Sequence, residues 1–199
     1  MKRLELLRIG LTITTFVCYG SFVMNNPTDD QINVRPLKDS DSLEELTEFL
    51  HRAYSVLAGM RLRYLATHQS VDVTRSRISG GVCLVAVSGG TIVGTVTCYP
   101  PGHSTGSPWI ERDHVAHFGQ LGVDPNLRGQ GIGARLVAAA EDQARAYDAT
   151  DLALDTAEPA THLIDWYERL GYRFIEHADW DCTNYRSVVM SKELAPDIQ

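Results

Sequence analysis

A chain of 199 residues with 44% hydrophobic and 22% charged residues holds enough apolar material for one sizeable core, so it needs neither disulfides nor a structural metal to fold. With 25 acidic against 18 basic residues, its net charge of −7 argues against non-specific nucleic-acid binding and mildly favours cationic groups such as amines. The cysteines, Cys18, Cys83, Cys98 and Cys182, include no Cys-x-x-Cys pair and read as reduced, buried or partly buried thiols.

Lys2, Arg3 and Arg8 precede an uncharged run over residues 9–24, an arrangement similar to a secretory signal. Glu5 and Arg8 break its early part, Cys18-Tyr19-Gly20 is a poor cleavage site, and the run is short for a membrane helix. Residues 1–30 are therefore read as an N-terminal extension, with Met24 as an alternative translation start and export or anchoring as the competing reading. The protein is then expected in the cytoplasm, without stable membrane association.

Residues 31–36 alternate as a first strand. Asp41 is expected to cap a helix with Glu44 as its reciprocal partner, and Leu43, Leu46, Phe49, Leu50, Ala53 and Tyr54 form one apolar stripe. A second helical region spans residues 60–78, broken near Gln69-Ser70. Residues 82–87 and 91–97 flank Ser88-Gly89-Gly90 as a hairpin that Pro100-Pro101 ends. A loop with Trp109 follows, then a strand over 115–123. Residues 131–147 form a helix with Leu136, Val137, Ala140 and Ala144 on one face, and residues 152–155 form a short buried strand. Pro159 suits the first turn of a helix ending before Gly171, and residues 172–176 and 185–190 are the last strands. One domain over 31–194 with a tail over 195–199 results, without internal repeats.

The informative stretch is 121–136. An apolar strand ends at Val123, Pro125 stops it, and the turn Arg128-Gly129-Gln130-Gly131-Ile132-Gly133-Ala134 opens a helix. Main-chain N–H groups at a helix start lack internal partners, and the helix dipole makes that end partly positive. Glycines remove the side chains that would hold a diphosphate away, which makes the turn an anion cradle. A glycine turn made only for tight packing is the plainer reading. A P-loop is excluded, because no Gly-Lys-Ser/Thr follows the second glycine. A dinucleotide fingerprint fits formally at Gly129, Gly131 and Ala134, with Asp155 ending the next strand. Against it, Asp124-Pro125-Asn126-Leu127-Arg128 separates the strand from the first glycine.

The pattern Val-x-Pro-x-x-Arg-Gly-x-Gly-Ile-Gly-x-x-Leu resembles the acyl-CoA motif of the GNAT (GCN5-related) N-acetyltransferase family. Downstream, Trp166-Tyr167-Glu168-Arg169-Leu170-Gly171-Tyr172 resembles that family's second block. The two stand in family order and spacing, and the element order over 31–192 fits as well.

The resemblance implies an α/β fold: a mixed, mostly antiparallel central sheet with helices on both faces and a splayed strand pair that admits acyl-CoA. It implies acetyl-CoA as cosubstrate, with the diphosphate on the backbone of Arg128, Gly129, Gln130, Gly131, Ile132, Gly133 and Ala134. The pantetheine arm would pair with Leu121, Gly122 and Val123 like an added strand. Tyr167 matches the tyrosine that protonates the departing thiolate, a task a phenol with pKa near ~10 can perform, although a buried packing role is its plainer reading. The implied reaction is direct attack of a deprotonated primary amine on the thioester.

Two positions depart from the family. Its frequent strand carboxylate is replaced by His117-Phe118-Gly119-Gln120, so His117, His114 or ordered water become candidate bases. Its frequent asparagine before the tyrosine helix is replaced by Ala160-Thr161-His162. The missing carboxylate also motivates a competing reading, a catalytically inactive acyl-CoA sensor. No metal is expected, since His114 and His117 point to opposite strand faces and no third ligand has suitable spacing. No Gly-x-Ser-x-Gly elbow supports a hydrolase. The acceptor is a small-molecule or peptide amine. Tyr54, Met60, Arg61, Tyr64, Trp109, Trp180 and Tyr185 are available to line its pocket, and homodimerisation is left open.

Overall fold

The computed structural model describes residues 32–103 and 106–195. The extension with its signal-like run, Gln31 and residues 196–199 lie outside the described residues. The strands are β1 (Ile32–Pro36), β2 (Val82–Ser88), β3 (Thr91–Tyr99), β4 (Val115–Val123), β5 (Asp151–Ala157), β6 (Arg173–Asp179) and β7 (Arg186–Glu193). They form one sheet in the order β1-β2-β3-β4-β5-β7-β6. Every neighbouring pair is antiparallel except β4 and β5. The helices are α1 (Leu43–Gly59), α2 (Val71–Ser79), α3 (Ile132–Ala146) and α4 (Thr161–Arg169).

Two cores follow from the strands' alternation. Val96, Cys98, Ala116, Phe118, Leu152, Leu154, Val188 and Met190 meet Ile132, Leu136, Val137, Ala140 and Tyr167 of α3 and α4. On the opposite face Cys83, Val85 and Ala157 meet Leu46, Phe49, Leu50, Ala53, Tyr54 and Leu57 of α1. Leu46 and Leu136 are fully buried, each contributing about 2 kcal/mol of apolar transfer energy. Cys83 and Cys98 are buried free thiols, and Cys182 is exposed.

Three boundaries differ from the sequence expectation. The N-cap of α1 is Ser42, whose hydroxyl accepts from the Glu45 amide at 3.2 Å, and not Asp41. Asp41 turns back to β1, accepting from Arg35 at 2.7 and 2.9 Å and from the Lys38 amide at 2.7 Å. The region expected as helix from residue 60 is instead a left-handed turn at Arg61 and a 3-10 turn at Leu65–Thr67, so α2 begins only at Val71. Strand β5 is longer than expected and carries Asp155 in its interior.

Hydrogen bonds from Arg35, then from the Lys38 amide, hold the Asp41 carboxyl down at about 2. A carboxylate depressed in the fold adds stability above its unfolded pKa and loses it as pH falls through the folded value. Asp41→Asn should therefore cost about 1 kcal/mol at neutral pH and nothing below about pH 2. Thermal denaturation of both proteins across pH checks this; an equal loss at every pH would contradict it.

Candidate active site

Strands β4 and β5 pair only at Val115 with Asp151, Ala116 with Leu152 and His117 with Ala153, and then part. The register of β3 against β4 shifts opposite Gln120, which sits at φ 55° as an extra residue between Gly119 and Gly122. A bulge bends a strand and re-aims its side chains. Here it leaves the β5-facing edge of residues 118–123 without a strand partner beside the opened gap.

The gap is a cavity of about 520 Å³. Leu121, Gly122 and Val123 form one wall, and Arg128, Gly129, Gly131, Ile132, Gly133 and Ala134 form its mouth. Tyr167 of α4 and Leu154, Asp155 and Thr156 of β5 face them. The structure thus brings together every sequence-predicted cofactor residue except Gln130, which does not line the cavity. Helix α3 starts on Gly131 at φ 79°, with no side-chain cap. Among the described residues no protein acceptor takes a hydrogen bond from the amides of residues 129–134. A Cβ at Gly131 would meet nothing within 4 Å, so the turn is open to a ligand. Gly133 differs: a Cβ there would lie 3.3 Å from Trp166, so it also lets α3 approach α4. The Arg128 guanidinium donates to the Ala53 carbonyl at 2.9 Å and ties the turn to α1. Unpaired amides, positive helix end and glycine openness together fit a diphosphate.

Tyr167 is buried, and its pKa is raised well above that of a free phenol, first by burial and then by Tyr54, Tyr64 and Asp155. It stays a neutral donor, and its hydroxyl makes no hydrogen bond to a described residue.

His117 does not reach this cavity. The bulge breaks the alternation that would align it with Leu121, which packs with the α3–α4 core. His117 instead stacks on Tyr99, centroids 4.6 Å apart, with His103 at 5.3 Å. Burial and then His103 push its pKa down to about 3, and its Nδ1 is buried without a partner among the described residues. A ring that binds protons so weakly makes a poor base near neutral pH. His114 lies at the surface beside Asp113, and no group of three metal-ligating residues occurs among the described residues.

Asp155, which lines the same cavity, is not among the sequence-predicted site residues. Its carboxylate accepts from Trp180 Nε1 at 2.9 Å and Ser187 Oγ at 3.0 Å. Asp155 is exposed in the cavity, yet desolvation by the surrounding protein outweighs both hydrogen bonds and Arg77 and raises its pKa. It shares a sheet face with Ala153 and Ala157, opposite Leu152 and Leu154. An acid directly after the apolar run Leu152-Ala153-Leu154 is the available signal. Tyr64, whose hydroxyl lies 3.0 Å from Thr156 Oγ1 and accepts from the Ala157 amide at 2.9 Å, stands beside it, with Tyr185 at 4.9 Å between ring centroids. Of the other aromatic candidates, Trp109 lies elsewhere, under Arg112.

A family model described as "Acetyltransferase (GNAT) family" matches residues 43–172. The chain belongs to the GNAT acetyltransferase family. It is an acetyl-CoA-dependent N-acetyltransferase, and its α/β sheet with a splayed strand pair is that family's fold. It is 28% identical over 158 residues to the S-(2-succino)cysteine N-acetyltransferase of Bacillus subtilis (strain 168), a match covering 78% of this chain and 92% of the relative. Among solved structures, a GNAT family acetyltransferase from Elizabethkingia anophelis with acetyl-CoA bound superposes with a TM-score of 0.59 at 16% identity, covering 83% of this chain and 99% of the other. The ribosomal-protein-alanine N-acetyltransferase from Brucella melitensis gives 0.62 at 18% identity, covering 81% and 99%. No helix among the described residues of this acetyltransferase is long and apolar enough to cross a membrane.

Proposed function

We propose that this acetyltransferase acetylates a primary amine by direct attack, with Asp155 as general base and Tyr167 as general acid. The observation that carries this reading is that both groups open into the one cavity whose mouth is the glycine turn. Acetyl-CoA supplies the activated acyl group. The amides of residues 129–134 hold its diphosphate, and the edge of 121–123 pairs with its pantetheine arm. The raised pKa of Asp155 suits a group that must take a proton from an ammonium, directly or through one water. Tyr167, neutral and without a protein partner, donates its proton to the departing thiolate and regains it from solvent.

The acyl-CoA sensor drew its motive from the missing carboxylate on β4, and Asp155 on the neighbouring strand removes that motive. The Bacillus relative's name gives a small amine that carries carboxylates as its acceptor, which supports a small-molecule acceptor here. Thiol release from acetyl-CoA with an amine panel tests the reading. Tyr167→Phe should lower kcat by about 100-fold while leaving acetyl-CoA affinity within about twofold. Cosubstrate binding with no turnover on any amine would overturn it.

A further inference from the structure

The sheet face beneath α1 and α2 carries a buried polar network that the transfer chemistry does not use. Gln69, 2% exposed, donates from Nε2 to Thr74 Oγ1 at 2.7 Å and to Gln120 Oε1 at 3.1 Å. Gln120, 3% exposed and held in the left-handed bulge of β4, donates to Thr97 Oγ1 at 3.2 Å. The remaining Gln69 oxygen accepts from Arg77 Nη1 at 2.7 Å. Both amides are thereby fixed, and together they aim one guanidinium.

Arg77 is half-buried, and its Nη2 lies 4.0 Å from where a Cβ on Gly119 would stand. Gly119 lines the cavity. A cation therefore stands beside the cavity wall at Gly119. No ion pair joins Arg77 to any acid among the described residues, yet its field reaches Asp155, Tyr54 and Tyr99 and favours their charged forms. A guanidinium oriented by buried partners and left without a carboxylate matches a planar anionic group of a ligand.

We propose that the acceptor is an α-amino acid, or a molecule presenting that group, whose carboxylate Arg77 holds while Asp155 takes its ammonium. This rests on the transferase reading and narrows its acceptor. An acid in the cavity and a cation beside its Gly119 wall, with no ion pair between them, complement a zwitterion and disfavour a simple amine, which would leave Arg77 uncompensated. The diphosphate is already served by the turn at the far end of β4, so Arg77 is not needed for the cosubstrate.

Thiol release from acetyl-CoA is measured with free α-amino acids bearing apolar, aromatic, acidic and S-substituted cysteine side chains, each alongside its methyl ester and its decarboxylated amine. The best amino acid should exceed both of its derivatives in kcat/KM by about tenfold or more. Arg77→Met should remove that preference by raising KM for the amino acid about tenfold, with acetyl-CoA affinity unchanged, and Arg77→Lys should restore part of it. The wild-type comparison stands even if the variants fold poorly. Equal or faster turnover of the esters or amines overturns this inference and leaves the transferase reading intact, as does a loss of acetyl-CoA affinity in Arg77→Met. No turnover with any acceptor overturns both.

Discussion

Replacing Gly131 by leucine is expected to weaken acetyl-CoA binding by about 100-fold or more in a calorimetric titration. Gly131 is the N-cap of α3 at φ 79°, where an L side chain is strained, and its missing Cβ leaves the mouth of the cavity clear. A leucine there would occupy the anion's place and disturb the unpartnered amides that bind it. Because no protein atom lies within 4 Å of the added Cβ, the fold itself should lose only about 1–2 kcal/mol of stability. The same change at Gly133 is a different experiment, since its side chain would strike Trp166 and part α3 from α4. Undiminished acetyl-CoA binding by Gly131→Leu would remove the turn from the cosubstrate site.

Asp155→Asn is expected to lower kcat by about 100-fold to 1,000-fold while acetyl-CoA affinity stays within about twofold. Asparagine preserves shape and can still accept from Trp180 and Ser187, so the loss reports proton transfer. The pH profile separates this from a packing defect. Desolvation raises the Asp155 pKa, so protonation should silence the base below an inflection lying above the usual carboxylate range, and activity should rise as pH increases through it. The Asn variant should lack that inflection. A profile of unchanged shape in the variant would exclude Asp155 as the base.

The parts of this molecule legible in its sequence are local in origin. Pro125, the glycines after Arg128 and the Ile132, Leu136 and Val137 stripe determine a strand-turn-helix within a few residues of each other, and the structure has that unit as expected. Asp41 and Ser42 are both competent caps, and the choice is made by Arg35, a β1 residue that claims Asp41. Met60, Arg61, Leu62 and Arg63 are helix-compatible residues, but Asn184 of the β6–β7 connection accepts from the Arg63 amide and donates to the Arg61 carbonyl, holding them in a turn. A strict two-residue period would align His117 with Leu121, but one inserted residue, Gln120, interrupts it. Asp155 gains its meaning only when β4 and β5 part around one cavity, and Arg77 only when α2 sets it beside Gly119 of that cavity's wall, and no spacing rule reaches that far.

The central claim is that one cavity holds the diphosphate at its mouth and joins the Tyr167 proton donor to the Asp155 proton acceptor. Its most direct measurement is a structure of the protein with CoA and an N-acetylated amino acid bound. The diphosphate is expected on the amides of residues 129–134, the CoA sulfur within hydrogen-bond reach of the Tyr167 hydroxyl, and the product nitrogen beside the Asp155 carboxylate. A diphosphate seated elsewhere, or a product nitrogen approached by neither Asp155 nor a water on it, would contradict the claim.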